Sequence, residues 1–203
     1  MCAMQTLAII GGTGLSQFDG FTPTKHHAHL MTELGPPSDD IIEGVMGNVR
    51  LLFLPRHGRQ HSVAPHKINY RANLLALQSL GADAIIAVNA VGGIHAAAVA
   101  GHLSVPHQII DYTFGREHSY LDGEFRPLDY IDFTHPYDEP LRQKLLHALA
   151  TLTAERDACS SALISNGYSE SGVYGATQGP RLESIAEINR LQQDGCDLVG
   201  MTG

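Results

Sequence analysis

Short apolar runs that stop at glycine or polar residues are the main pattern along this chain. The first run, residues 7–10, ends in the Gly-Gly-Thr-Gly loop of residues 11–14, and two more runs occupy residues 49–54 and 84–88. A short apolar run bounded by turn signals is typical of a buried strand. The run at 84–88 lacks polar alternation, so it predicts a parallel strand covered on both faces.

Helical periods follow some of these strands. Residues 70–80 carry leucine and alanine at helical spacing, and Gly81 closes the predicted helix. A second helix is predicted to begin near Asp138. Its apolar face is expected to consist of Leu141, Leu145, Leu149 and Leu152. A third helix is predicted at 184–193, where Glu187 lies near the positive end and is expected to be structural.

The other segments complete an α/β pattern. Residues 18–43 predict a hairpin and loop, and residues 105–112 predict a strand interrupted by proline. Further strands are expected at 172–177 and at the end of the chain. Residues 154–171, rich in serine, asparagine and glycine, predict an exposed excursion. Strands that alternate with helices favour an α/β fold.

Length and composition narrow the class of protein. A chain of 203 residues predicts a single domain with a sizeable core. No apolar run approaches the roughly 18 residues that a membrane span needs, and the N-terminus lacks a basic signal region. The net charge of −8 argues against nucleic acid as a partner. The three cysteines, Cys2, Cys159 and Cys196, are widely spaced and predict reduced thiols rather than a disulfide framework or zinc cluster, which fits the cytoplasm.

The loops after the strands carry the candidate chemistry. Glycines at 11–14 let consecutive N–H groups approach an anion, and Thr13 adds a hydroxyl donor, although a plain glycine turn is the alternative. Arg56 follows the second strand and is a candidate anion clamp, because guanidinium matches phosphate oxygens. A solvated basic turn is the alternative there. The Asn-Ala-Val-Gly-Gly-Ile loop at 89–94 ends the third strand, and we expect the loops to converge on one ligand.

The histidines suggest a metal site as an alternative to an anion site. His57, His61 and His66 lie in one loop, but this loop has no carboxylate ligand, so a zinc hydrolase is the least favoured enzyme. A second histidine group, at positions 26, 27 and 29, fits an extended segment better than a metal site. We therefore predict no metal.

Six stretches together carry a family resemblance. They are IIGGTGL at 9–15, RHGRQH at 56–61, INYRANLLAL at 68–77, NAVGGI at 89–94, TQGPRLES at 177–184 and GMTG at 200–203. In this order they resemble purine nucleoside phosphorylases of the methylthioadenosine phosphorylase branch. NAVGGI and the GREHSYLDG stretch at 115–123 are most similar to the bacterial S-methyl-5'-thioinosine phosphorylases.

The resemblance implies a three-layer α/β/α fold with a central mixed, partly barrel-like sheet, a homotrimer and no cofactor. The implied reaction is phosphorolysis of a purine nucleoside, foremost S-methyl-5'-thioinosine, to hypoxanthine and 5-methylthioribose 1-phosphate. The implied phosphate contacts are Thr13, Arg56, His57, Asn89, Ala90 and Thr202. The implied substrate contacts are Met201 under the sugar, Leu182 against the base, and Glu183.

The chain also departs from the family pattern. Relatives continue with a strand, bearing an Asp or Asn that contacts purine N7, and a final helix, so we expect residues 1–203 to be one phosphorylase domain without them. The catalytic acid is therefore unknown. Asn89 stands where adenosine-specific relatives carry threonine, which leaves base preference open. A general 6-oxopurine nucleoside or methylthioadenosine phosphorylase, a nucleoside hydrolase and a non-catalytic phosphate- or nucleoside-binding form remain alternatives.

Overall fold

The computed structural model describes residues 6–12, 15, 20–120, 130–156 and 166–203. The chain divides into two compact units. The first comprises Met1–Ala90, Phe114–Arg126 and Thr202–Gly203, and the second comprises Val91–Thr113 and Pro127–Met201. The assignment of residues 1–203 to one domain stays a prediction.

A five-stranded mixed sheet forms the first unit. Its strands are β1 (Thr6–Gly11), β2 (Thr22–His27), β3 (Ile41–Met46), β4 (Val49–Pro55) and β5 (Ala84–Val88). They lie in the order β2-β3-β4-β1-β5. The central strand β1 pairs in parallel with β4 and β5, whereas β3 pairs antiparallel with β2 and β4. The carboxyl ends of β1, β4 and β5 therefore meet at one edge of the sheet.

The burial of β5 corrects one prediction. The strand and its parallel pairing are confirmed. None of its five residues is fully buried, however, and Val88 is 41% exposed. The prediction of coverage on both faces is therefore wrong at this end of the strand.

Helix α1 (Tyr70–Ser79) packs on this sheet as predicted. Ala76 and Leu77 join Leu52 and Leu54 in the buried core of the unit. The side chain of Asn69 caps the helix by accepting a hydrogen bond from a backbone N–H of the first turn. Gly81 follows the helix with φ +82°, the left-handed conformation that glycine adopts without strain.

The second unit contains two smaller sheets. Its strands are β6 (Gly92–Gly93), β7 (Leu103–Ser104), β8 (Gln108–Asp111), β9 (Tyr168–Ser169), β10 (Val173–Ala176) and β11 (Leu198–Gly200). One sheet has the order β6-β11-β10-β8, and β7 pairs with β9 in the other. β8, β10 and β11 run parallel, and β6 is antiparallel to β11. The predicted strand at 105–112 begins only at Gln108, after the proline.

The described residues of the second unit also form the helices α2 (Glu139–Arg156) and α3 (Ile185–Gln193). Asp138 caps α2 by accepting a hydrogen bond from the backbone N–H of Leu141 at 2.7 Å. The predicted apolar face is only partly right, because Leu152 is 46% exposed and Leu146 is buried instead. Leu191 of α3 packs with Val199 of β11.

The α/β class and the mixed sheet are confirmed. The sheets are open throughout the described ranges, so the barrel-like closure is not seen there. Helix α2 continues to Arg156, three residues into the predicted excursion at 154–171, and residues 157–165 of that segment lie outside the described residues. Within the described part of the chain, no helix is both long and apolar enough to cross a bilayer.

Candidate active site

The side chain of Arg56 joins the ends of three strands. It directly follows β4 and is only 1% exposed. Its Nε donates to the carbonyl of Gly11 at 3.2 Å, and its Nη2 donates to Ile10 at 3.2 Å and to Val88. These carbonyls belong to β1 and β5. The ends of β1, β4 and β5 therefore meet at Arg56, and the convergence of their loops on one ligand stays a prediction.

Thr202 joins the same cluster from far along the chain. Nη1 of Arg56 donates to its carbonyl oxygen at 3.0 Å and to its hydroxyl oxygen at 3.2 Å. A hydroxyl accepts and donates at the same time, so this contact is compatible with a second contact to a phosphate oxygen.

The absence of a side chain at Gly12 leaves room for the guanidinium of Arg56. A Cβ atom at Gly12 would lie 3.1 Å from Nη2 and 3.4 Å from Cζ of Arg56. The preceding Gly11 is more tightly constrained, because a Cβ there would lie 2.6 Å from a ring carbon of Phe53. The two glycines therefore serve close packing around Arg56 and β4.

The hydrogen bonds of Arg56 qualify its predicted role as an anion clamp. Each guanidinium nitrogen already donates to a protein acceptor, so direct contact with phosphate requires exchange of at least one such partner. These acceptors are neutral carbonyl and hydroxyl groups, which satisfy donors without cancelling charge. Phosphate contact by Arg56 stays a prediction.

His57 is fixed by the loop that contains it. Its Nδ1 donates to the carbonyl of Val63 at 2.8 Å, and the Val63 N–H donates to the carbonyl of His57 at 3.0 Å. Burial lowers the pKa of His57, and the neighbouring charges of His61 and Arg56 lower it further, against the opposing effect of the Val63 hydrogen bond. The lowered pKa favours the neutral form of the imidazole.

The other predicted phosphate residues are Asn89, Ala90 and Thr13. Asn89 and Ala90 directly follow β5, with Asn89 half-buried and Ala90 exposed. Thr13 lies outside the described residues. The phosphate roles of all three stay predictions.

The predicted substrate residues lie in the second unit. Glu183 accepts a hydrogen bond from the hydroxyl of Thr177 at 2.6 Å, which fixes its carboxylate next to the end of β10. Met201 packs so closely on Gly179 (φ +61°) that a Cβ there would lie 2.4 Å from its sulfur. Leu182 is 80% exposed. Their roles toward sugar and base stay predictions.

Glu187 is structural, as expected. It forms a capping box with Ser184 at the start of α3, and its carboxylate pairs with both Nη atoms of Arg181 at 2.7 and 2.8 Å. The Arg181 guanidinium and the Ser184 N–H lower the pKa of Glu187 to about 2.

No cluster of metal ligands occurs in residues 6–12, 15, 20–120, 130–156 and 166–203. The rings of His57 and His61 are 4.9 Å apart, but no group of three His, Cys, Asp or Glu residues in these ranges is arranged to hold a metal ion.

The sequence did not indicate three of these contacts. The Val63 carbonyl is a backbone group, so no residue type reveals its hydrogen bond with His57. Thr177 carries a weak signal, because it is a polar residue at a strand end. The sequence predicts that Gly12 lets backbone N–H groups approach an anion, whereas in the structure the side chain nearest to Gly12 is that of Arg56.

Comparison with known proteins identifies the family. The model of the phosphorylase superfamily matches residues 6–203. The chain is 48% identical over 200 residues to a probable S-methyl-5'-thioinosine phosphorylase of Pseudomonas syringae pv. tomato, covering 98% of the chain and 76% of that protein. It is 38% identical over 204 residues to a 6-oxopurine nucleoside phosphorylase of Pyrococcus furiosus, covering 98% and 71%.

A solved structure agrees. A mutant of the adenosine/methylthioadenosine phosphorylase of Schistosoma mansoni, in complex with adenine, superposes with a TM-score of 0.87 at 32% identity, covering 98% of this chain and 72% of that one. The chain therefore belongs to the phosphorylase superfamily.

Proposed function

We propose that this protein catalyses phosphorolysis of S-methyl-5'-thioinosine, releasing hypoxanthine and 5-methylthioribose 1-phosphate. The observation that carries the proposal is the buried guanidinium of Arg56, which gathers the ends of β1, β4 and β5 together with Thr202. A positive charge at converging strand ends attracts an anion. The relatives named for this substrate support the choice of nucleoside.

Phosphate is both nucleophile and electrostatic stabiliser in this reaction. Its oxygen forms a bond to the anomeric carbon while the glycosidic C–N bond breaks, and the purine leaves with the bonding electron pair and is protonated. The sugar becomes cation-like in the transition state, so an anion held beneath it lowers the barrier. Arg56 supplies positive charge near that anion, and Thr13, His57 and Thr202 orient it.

The nucleoside is proposed to contact Met201, Leu182 and Glu183. Met201 provides an apolar surface under the sugar, and Leu182 contacts the base. Asn89 and Ala90 complete the phosphate contacts. No described residue is assigned as the acid that protonates the leaving purine.

We further propose a homotrimer located in the cytoplasm, acting without metal or organic cofactor. These proposals rest on the family resemblance. Sedimentation of the purified protein tests the assembly.

The test of function is a side-by-side assay of methylthioinosine, methylthioadenosine and inosine, each with and without phosphate. We expect phosphate-dependent release of hypoxanthine, fastest from methylthioinosine. Faster cleavage of inosine would favour a general 6-oxopurine nucleoside phosphorylase, the function named for the Pyrococcus relative. Equal cleavage without phosphate would indicate a hydrolase, and binding without turnover would indicate a non-catalytic protein.

A variant pair tests the site. Thr202→Val removes the hydroxyl, and we expect the KM for phosphate to rise about tenfold, the effect of one lost hydrogen bond to a charged group. Thr202→Ser restores the hydroxyl and should restore the KM. An unchanged phosphate KM in the valine variant would contradict the proposed role of Thr202.

A further inference from the structure

The 56–63 loop, which runs from Arg56 to Val63, is closed by hydrogen bonds between its own residues. His57 and Val63 exchange two hydrogen bonds, from Nδ1 to carbonyl at 2.8 Å and from N–H to carbonyl at 3.0 Å. Asp39 holds the middle of the loop by accepting from the backbone N–H of Arg59 at 2.6 Å and from its Nε at 3.2 Å. The orientation of the His57 ring is therefore set from within the loop.

The Val63 contact determines which nitrogen of His57 carries the proton. A carbonyl oxygen only accepts, so Nδ1 must be the protonated nitrogen. A neutral imidazole has one N–H, so Nε2 then presents a lone pair. Burial and the charges of His61 and Arg56 lower the pKa of His57 and so disfavour a second proton on the ring.

We infer that His57 is a hydrogen-bond acceptor for the protonated oxygen of hydrogen phosphate, and that it makes the site select phosphate over sulfate. The inference rests on the proposed function, in which His57 contacts phosphate. A lone pair attracts a P–O–H group and repels an unprotonated oxyanion. His57 is then a specificity-determining residue rather than a further cation.

Phosphate and sulfate make a sharp comparison. Slightly above neutral pH both carry two negative charges on a tetrahedron of similar size, but only hydrogen phosphate carries a proton. The positive charge of Arg56 and the hydroxyl of Thr202 attract both anions alike. Only a group that accepts a hydrogen bond distinguishes them, and a binding site built around a hydrogen bond discriminates strongly against a ligand that cannot form it.

The first experiment reads the tautomer directly. Nitrogen-15 NMR of the labelled 203-residue protein distinguishes a protonated ring nitrogen from one with a lone pair, and His57→Asn assigns the His57 signals. His102 is an internal reference, because its Nδ1 also faces a carbonyl, that of Asn166, at 2.8 Å. We expect His57 to carry its proton on Nδ1, with and without phosphate. A protonated Nε2 in the phosphate complex would overturn the inference.

The second experiment measures selectivity by calorimetry with inorganic phosphate and with sulfate. We expect wild type to bind phosphate at least about tenfold more tightly than sulfate. His57→Asn keeps an N–H that can reach the Val63 carbonyl but lacks Nε2, so the preference should fall to near unity. The matched control is His102→Asn, which removes a comparable imidazole from the second unit and should keep the preference.

The outcomes separate this inference from the proposed function. Phosphate selectivity without nucleoside cleavage would remove the proposed function and leave the role of His57 standing. Phosphorolysis in which sulfate binds as tightly as phosphate would overturn the inference alone. Binding of neither anion, or an unchanged preference in His57→Asn, would also overturn it.

Discussion

Replacing Gly12 by alanine should destabilise the protein through Arg56 alone. The new Cβ would lie 3.1 Å from Nη2 and 3.4 Å from Nε and Cζ, so the guanidinium must move by a few tenths of an ångström. It cannot move freely, because its bonds to Gly11 and Thr202 measure 3.0–3.2 Å and the side chain is 1% exposed. Gly12 has no positive φ, so backbone strain does not contribute.

The size of the effect follows from the bonds disturbed. Weakening one or two hydrogen bonds to a buried charged donor costs about 2–3 kcal/mol. Loss of glycine's freedom in the unfolded chain offsets about 0.4–1 kcal/mol of this. The net loss in free energy of unfolding should be about 1–2 kcal/mol, a fall in Tm of roughly 2–8 °C for a chain of this length. Urea titration and thermal melting measure it.

Gly172→Ala is the matched control. Like Gly12, Gly172 has no positive φ, but its added Cβ would lie 3.6 Å from Asp197, at ordinary contact distance. We expect it to be as stable as wild type or slightly more stable. If Gly12→Ala is as stable as this control, the guanidinium is not held rigidly against Gly12 and the reasoning is refuted.

Three further substitutions test other contacts. The Arg50 guanidinium, with His27, lowers the pKa of Glu43 from 4.5 to about 2, so the paired carboxylate stabilises the fold above pH 4.5 and this stabilisation is lost as the pH falls toward 2. Glu43→Gln should remove that part of the acid dependence, about 1–2 kcal/mol after solvent screening, as measured by urea titrations at a series of pH values. Ser184→Ala removes the cap of α3 and should lower the free energy of unfolding by about 1 kcal/mol in urea titration at neutral pH. An unchanged free energy would mean that the capping box does not stabilise the protein. Asn73→Ala removes a buried amide whose oxygen accepts a hydrogen bond from the backbone N–H of Ser38 at 2.7 Å, so the free energy of unfolding should fall by about 1–3 kcal/mol. A variant as stable as wild type would show that water replaces the amide.

Local pattern predicted the elements well because their signals are local. The apolar runs became β1, β4 and β5, and the leucine period with its closing glycine became α1. An apolar run indicates that its side chains favour burial, but it does not indicate how far neighbouring elements cover them. The run at 84–88 therefore predicts cover on both faces, whereas Ala87 and Val88 of β5 are exposed.

The meeting of strand ends near Arg56 was predictable from the sequence, but the hydrogen bonds of Arg56 were not. The residue types around Arg56 indicated an anion site, and the convergence of strand ends followed from parallel pairing. The partners of the guanidinium are mostly backbone carbonyls, which every residue possesses, so no side-chain pattern could reveal them. The same holds for the Val63 carbonyl that sets the His57 tautomer.

The bond between Arg56 and Thr202 spans 146 positions of sequence, and this separation matters during biosynthesis. At ordinary translation speeds of 5–20 residues per second, the ribosome adds the threonine roughly 7–30 s after the arginine. A nascent chain thus holds β1 and β4 long before the cationic cluster can be completed. The proposed phosphate site exists only in the finished arrangement, so phosphate bound there should favour the folded protein by mass action.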